Sequence, residues 1–100
     1  MSARTGRLVA VRRRIDRLDV QLLRLLSRRA RLALVIGRIK DRKKWPVYDA
    51  RREAFVLRHV AGANRGPLSG RAVRKIFQAI LTQCRRRERD GKRRRAVRSS

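Results

Sequence analysis

Three features of this 100-residue chain predict an all-α fold of three helices, the first unusually long. Apolar residues recur at three- and four-residue steps over most of the first forty positions, the period of one helix face. Aromatic residues make up only 4% of the chain, so the core must be Leu, Ile, Val and Ala, a composition that favours helices over sheets. Turn signals gather at two places, Trp45-Pro46 and Gly62 to Pro67, and cut the chain into three periodic stretches. The length allows one domain, of a size that oligomerisation often stabilises.

The first stretch carries Leu8, Val11, Ile15, Leu18, Leu22, Leu25, Leu26, Leu32, Val35, Ile36 and Ile39 on helical spacing. A helix of roughly thirty residues would measure about 45–50 Å at 1.5 Å per residue. A compact chain of this length spans only about 26 Å, twice its radius of gyration. The remainder of the chain is too small to cover such a helix, so it needs a partner. Charged residues 41–44 follow, and Trp45-Pro46 is expected to end it, since the residue before proline avoids helical geometry. Asp49 suits the N-cap of a second helix over about Ala50 to Ala61. Ser69 caps a third, with Val73, Ile76, Phe77, Ile80, Leu81 and Cys84 along one face. Apolar residues then almost vanish. The expected organisation is a frayed N-terminus at 1–7, a folded domain at 8–90 and a basic, disordered tail at 91–100.

Thirty-one Lys and Arg against seven Asp and Glu give a formal net charge of +24. Such a field draws polyanions and small anionic metabolites alike. Nucleic-acid binding is the reading from another functional class, but no helix-turn-helix spacing, aromatic platform or RNP-like motif accompanies the charge. Only non-specific, salt-sensitive contact with nucleic acid is expected. One cysteine, Cys84, and one histidine, His59, exclude a disulfide framework and a Cys/His zinc site. No stretch is apolar enough for a membrane span or signal peptide, so a cytoplasmic location is expected.

The chemistry is carried by charges on apolar faces. At 100° per residue, Ile15, Leu22, Arg29, Ala33 and Lys40 lie within about 40° of one line. Arg29 and Lys40 should therefore point inward, about 16 Å apart along the axis. Buried unpaired cations cost several kcal/mol, and the chain has too few carboxylates to pair them. One such residue taken singly is explained by a long side chain snorkelling outward. Together, on a helix that needs a partner, they point to a small bound anion. Glu88 falls within about 20° of Phe77 and so faces inward from the third helix. Arg52 and Glu53 open the second helix, where the N-terminus adds its own attraction for anions.

In order along the chain, residues 11–19 (Val-Arg-Arg-Arg-Ile-Asp-Arg-Leu-Asp), 22–29 (Leu-Leu-Arg-Leu-Leu-Ser-Arg-Arg), 36–40 (Ile-Gly-Arg-Ile-Lys), 46–49 (Pro-Val-Tyr-Asp) and Arg52-Glu53 resemble the all-helical AroQ class of chorismate mutases. The segment 76–80 with Cys84 and Glu88 fits as well, so the resemblance covers about Leu8 to Glu88. It implies an intertwined homodimer with paired long helices and two equivalent sites. It implies an isomerase of aromatic amino-acid biosynthesis, converting chorismate to prephenate with no cofactor or metal. By position, Arg12 of the partner subunit and Arg29 resemble the carboxylate clamps. Arg12 lies about 25 Å from Arg29 on one helix, so an antiparallel neighbour would have to supply it. Lys40 resembles the cation at the breaking ether oxygen, and Glu88 the donor opposite it. As a glutamate, Glu88 must carry a proton to donate that bond. Arg52 resembles a support on the carboxylate side, while Asp49 and Glu53 resemble the groups that hold the ring hydroxyl. Cys84 takes a place often held by a small polar residue near the carboxylates.

This chemistry suits a chain with one Cys and one His. A unimolecular pericyclic shift needs no nucleophile or general base, only a held diaxial conformer and stabilised charge on the ether oxygen. Guanidinium forks suit the first task and a fixed ammonium the second. Aminodeoxychorismate mutases and isochorismate-pyruvate lyases resemble the same scaffold. Asp49 with Arg52-Glu53 favours a true mutase over the lyases. No fused dehydratase or regulatory domain is expected.

Overall fold

The structure, a computed structural model, describes residues 3–99, and these form three helices: α1, Ala3–Arg42; α2, Ala50–Ala63; α3, Gly70–Ser99. At forty residues, α1 exceeds its expected length and begins inside the segment expected to fray. Its Ala-, Arg- and Leu-rich sequence has high helix propensity, and only Gly6 opposes it near the start. The molecule measures 65 × 30 × 14 Å, with a radius of gyration of 18.5 Å. A compact chain of this length would have about 13 Å. The excess is the N-terminal half of α1, an arm exposed at every residue from Ala3 to Leu26.

The stop of α1 precedes Trp45-Pro46 and is made by the backbone. Lys44 adopts the left-handed conformation, with φ of 57°. Its N–H donates to Asp41 at 3.1 Å, and the Trp45 N–H donates to Lys40 at 2.8 Å. This is a Schellman cap, made here by a lysine where glycine is usual. Lys43 Nζ lies 5.2 Å from the Trp45 ring centroid and helps fold the turn back.

Asp49 caps α2 as its sequence position predicts, accepting from the Arg52 N–H at 3.0 Å. The helix runs through Gly62 to Ala63, so the turn is shorter than predicted. Asn64 builds that turn: its amide nitrogen donates to Leu68 O at 2.9 Å, and its amide oxygen accepts from Gly66 N–H at 3.0 Å. Gly66 has φ of +77°, a region open to glycine at little cost. Ser69 Oγ accepts from the Ala72 N–H at 3.1 Å and caps α3.

The disordered tail expected at 91–100 is instead helical through Ser99. Arg and Lys are good helix formers, and this stretch is tied to α1. Arg95 Nε donates to Asp41 Oδ2 at 2.9 Å, and a Cβ at Gly91 would stand 3.6 Å from Leu34 Cδ2.

Helix α3 is the centre of the fold, packed against the C-terminal half of α1 on one side and α2 on another. Val56, Val73, Leu81 and Cys84 are the buried apolar residues, and Glu88 is buried among them. No helix of the described residues is long and apolar enough to cross a membrane. Leu81 is 8% exposed at the meeting of α2 and α3. Truncation to Ala should cost about 2–3 kcal/mol through lost burial and a residual cavity. Urea unfolding at fixed protein concentration checks this as a lowered midpoint with an unchanged slope.

Candidate active site

Where α1 crosses α3, with α2 forming a third wall, lies a cleft of about 240 Å³. That volume falls just below the usual range for drug-sized ligands and suits a small metabolite. Helix α1 supplies Arg29 and Lys40, and α2 with its cap supplies Asp49, Arg52 and Glu53. Helix α3 supplies Cys84, Arg85 and Glu88. Of the eight residues singled out in the sequence, only Arg12 is absent from the cleft. It stands exposed on the projecting arm of α1.

Lys40 enters from the last turns of α1, and its ammonium is held twice. Nζ donates to Val47 O at 2.7 Å and to Glu88 Oε1 at 3.2 Å. The two side chains are 16% and 9% exposed, so this ion pair is largely withdrawn from water. Glu88 reaches the position because Gly37 has no side chain. A Cβ there would stand 3.3 Å from Glu88 Cγ and 3.4 Å from Glu88 Cβ. One turn of α3 earlier, Cys84 Sγ accepts from Arg29 Nη1 at 3.2 Å. The buried thiol thus steadies a guanidinium, a contact that a small polar residue would also make.

Glu53 is paired to Arg85, whose guanidinium also stacks on Tyr48, 4.9 Å from the ring centroid. The hydrogen bond to Glu53 raises the Arg85 pKa further above its ordinary value, against the opposing effect of burial. A raised value keeps Arg85 charged, so the guanidinium's own contribution to stability is lost only as pH rises through that raised value. Sequence reasoning misses Arg85, because it is the first residue of the basic run 85–87 and looks like surface charge. The available signal is position: Arg85 follows Leu81 by one turn and so borders the apolar face of α3.

Asp49, Glu53 and Glu88 therefore face, respectively, the first N–H groups of α2, a guanidinium and an ammonium. Among the described residues, Arg29 and Arg52 of the cleft have no carboxylate within ion-pair distance. Arg52, which lines the cleft, packs its guanidinium 5.1 Å from the Phe55 ring centroid. No three His, Cys, Asp or Glu groups among the described residues gather as a metal cage. The cleft combines cations lacking carboxylate partners with a second, paired layer that fixes their neighbours. It can hold a small anion with more than one negative group and place an ammonium against its centre.

Fold and site together define a small helical domain with a cation-lined cleft between its helices. The sequence pattern of chorismate mutase type II matches residues 11–89, and the chain belongs to that family. It is 43% identical over 82 residues to the bifunctional chorismate mutase/prephenate dehydratase of Pseudomonas aeruginosa, covering 77% of this chain and 22% of that protein. The protein of the same description from Neisseria gonorrhoeae is 38% identical over 77 residues, covering 77% and 21%. The chain thus spans about a fifth of the length of these relatives. The structure of chorismate mutase (form II) from Thermus thermophilus superposes with a TM-score of 0.82 at 36% identity, covering 83% of this chain and 94% of that one. Form I from the same organism gives 0.76 at 37% identity, covering 78% and 98%.

The Glu53–Arg85 pair is mostly shielded, at 23% and 21% exposure. A double-mutant cycle with Glu53→Gln and Arg85→Met should therefore return a coupling of about 1–2 kcal/mol in denaturant unfolding. Additive losses would show that the two side chains do not hold each other.

Proposed function

We propose that the chain catalyses the rearrangement of chorismate to prephenate, as a homodimer whose sites each take Arg12 from the partner subunit. The observation that carries this reading is the guanidinium of Arg29, which no carboxylate pairs, in the same cleft as an ammonium fixed by Val47 O and Glu88. The bidentate fork of Arg29 suits one substrate carboxylate. The partner's Arg12 suits the other, because the arm bearing it has an uncovered apolar stripe through Leu18, Leu22 and Leu25, each more than half exposed. A stripe of that size on a small protein marks an interaction surface.

In the reaction, the C–O bond of the enolpyruvyl ether breaks as a C–C bond forms, and no atom leaves the molecule. Negative charge grows on the ether oxygen in the transition state. Lys40 donates to that oxygen from one side, and Glu88, which must leave its ion pair with Lys40 and take up a proton to donate, from the other. The ether oxygen then replaces Glu88 as an acceptor for Lys40, which requires the 3.2 Å pair to open. Asp49 and Glu53 serve the ring hydroxyl, with Glu53 presented by Arg85. Arg52 supports the carboxylate side. The general field of a +24 chain steers a dianion toward the cleft and weakens with salt.

Loss of chorismate absorbance with chromatographic detection of prephenate tests the reaction. Lys40→Ala should lower kcat by roughly 10²–10³, the usual worth of one donor to a developing oxyanion. A wild-type protein that turns over only the amino or iso analogue would move the substrate and keep the site. Mixing Arg12→Ala with Lys40→Ala subunits should restore activity to about a quarter of the sites, since one site of each mixed dimer is intact. A mixture as inactive as its parents would remove Arg12 from the partner's site. Glu88→Gln, which donates the same hydrogen bond through its amide, should keep most of the activity, and Glu88→Ala should lose it. A Gln variant as inactive as the Ala variant would sink the donor role of Glu88.

A further inference from the structure

Nothing in the reaction above uses the residues beyond Glu88, yet α3 continues to Ser99 and returns to α1. Arg95 lies two turns past Glu88, about 10 Å further along the same face. Its Nε donates to Asp41 Oδ2 at 2.9 Å, and its Nη2 donates to Gly37 O at 3.3 Å. Asp41 adjoins Lys40 in sequence, and Gly37 is the residue whose missing side chain admits Glu88. One guanidinium thus ties both helices at the residues that place the Lys40–Glu88 pair. One turn of α3 before Glu88 and about three turns of α1 before Lys40, Arg29 and Cys84 tie the same helices again. The pair is therefore fixed from both sides.

We propose that Arg95 is a positioning residue: with Asp41 and the Gly37 carbonyl it forms a clamp that holds α3 in register on α1 and so aims Glu88 at Lys40. The proposal rests on the functional reading above insofar as that pair carries the reaction. An ordinary surface ion pair would be worth little and would tolerate any cation. The arrangement here differs in two respects. Arg95 and Asp41 are 31% and 32% exposed, and the planar fork spans two acceptors that a lysine cannot reach together. A shift of a fraction of an ångström at Glu88 matters, because the reacting geometry is narrow. The clamp also accounts for an ordered helix in a segment whose composition suggests a solvated tail.

The test compares kcat and KM for chorismate in Arg95→Ala, Arg95→Lys, Asp41→Asn and the Arg95→Ala/Asp41→Asn double variant. Arg94→Ala, exposed on the same stretch, removes equal charge as the control. Arg95→Ala should lower kcat roughly tenfold with KM within about twofold, the signature of a misaligned reacting geometry. Arg95→Lys should restore only part of the loss, Arg94→Ala should match the wild type, and the double variant should be no slower than its slower parent. Thermal unfolding of the same proteins gives a readout independent of turnover, in which the double variant should lose less Tm than the two singles added. Additive Tm losses overturn the clamp. Coupled Tm losses with unchanged kcat overturn its positioning role. A wild type that fails to convert chorismate overturns the functional reading alone, and the unfolding cycle still decides whether the clamp exists.

Discussion

The crossing of α1 over α3 at Gly37 is the contact on which the site depends. Two helices ordinarily keep 8–10 Å between axes, set by the side chains between them. With no side chain at Gly37, the Glu88 methylenes take the space, and the carboxylate emerges beside Lys40. Burying that carboxylate is tolerable only because the ammonium is already held there by Val47 O. The Val47 carbonyl is available because the Schellman turn at Lys44 folds the chain back over the end of α1. Backbone termination, a glycine contact and an ion pair thus act as one unit. Disturbing any of them moves the others, since a buried charge left without its partner costs several kcal/mol.

Much of this was legible in the sequence because helical periodicity is strict. The inward cations Arg29 and Lys40 betrayed themselves by sharing a stripe with leucines, and Glu88 by continuing the stripe of Phe77. The caps Asp49 and Ser69 followed from residue type and position, and both accept the expected backbone N–H groups. Arg85 was easily missed because its neighbours are also arginines: only its place one turn after Leu81 marks it in the sequence, and the approach of Glu53 and Tyr48 distinguishes it in the structure. The order of the last turns of α3 was illegible for a related reason. Composition reports a lack of apolar residues there, whereas the anchoring comes from one arginine meeting a carboxylate and a carbonyl 54 and 58 residues away. Long-range polar contacts leave no period to read.

The positive charge acquires a structural sense around the cleft. Three of the seven acidic residues line it, and a fourth, Asp41, lies just behind it in the Arg95 contact. Each therefore has a placed cation or helix end, and most of the remaining basic residues are exposed. Excess arginine on the surface costs self-repulsion, whereas the carboxylates of the cleft are each matched where a wrong partner would spoil the geometry.

That economy bears on what association would do for the chain. Among the described residues no large side chain is completely buried, and the molecule is only 14 Å thick in its shortest dimension. A layer of helices this thin has one packed side at each point, and the arm of α1 has none. Its leucines gain the usual stabilisation of about 25 cal/mol per Å² only when something apolar covers them. The same arm carries Arg12, so covering it and supplying the cleft with its further guanidinium would be a single event. Stability and site completion would then share one concentration dependence, because a protomer whose long helix lacks a partner would have neither a finished core nor a finished site.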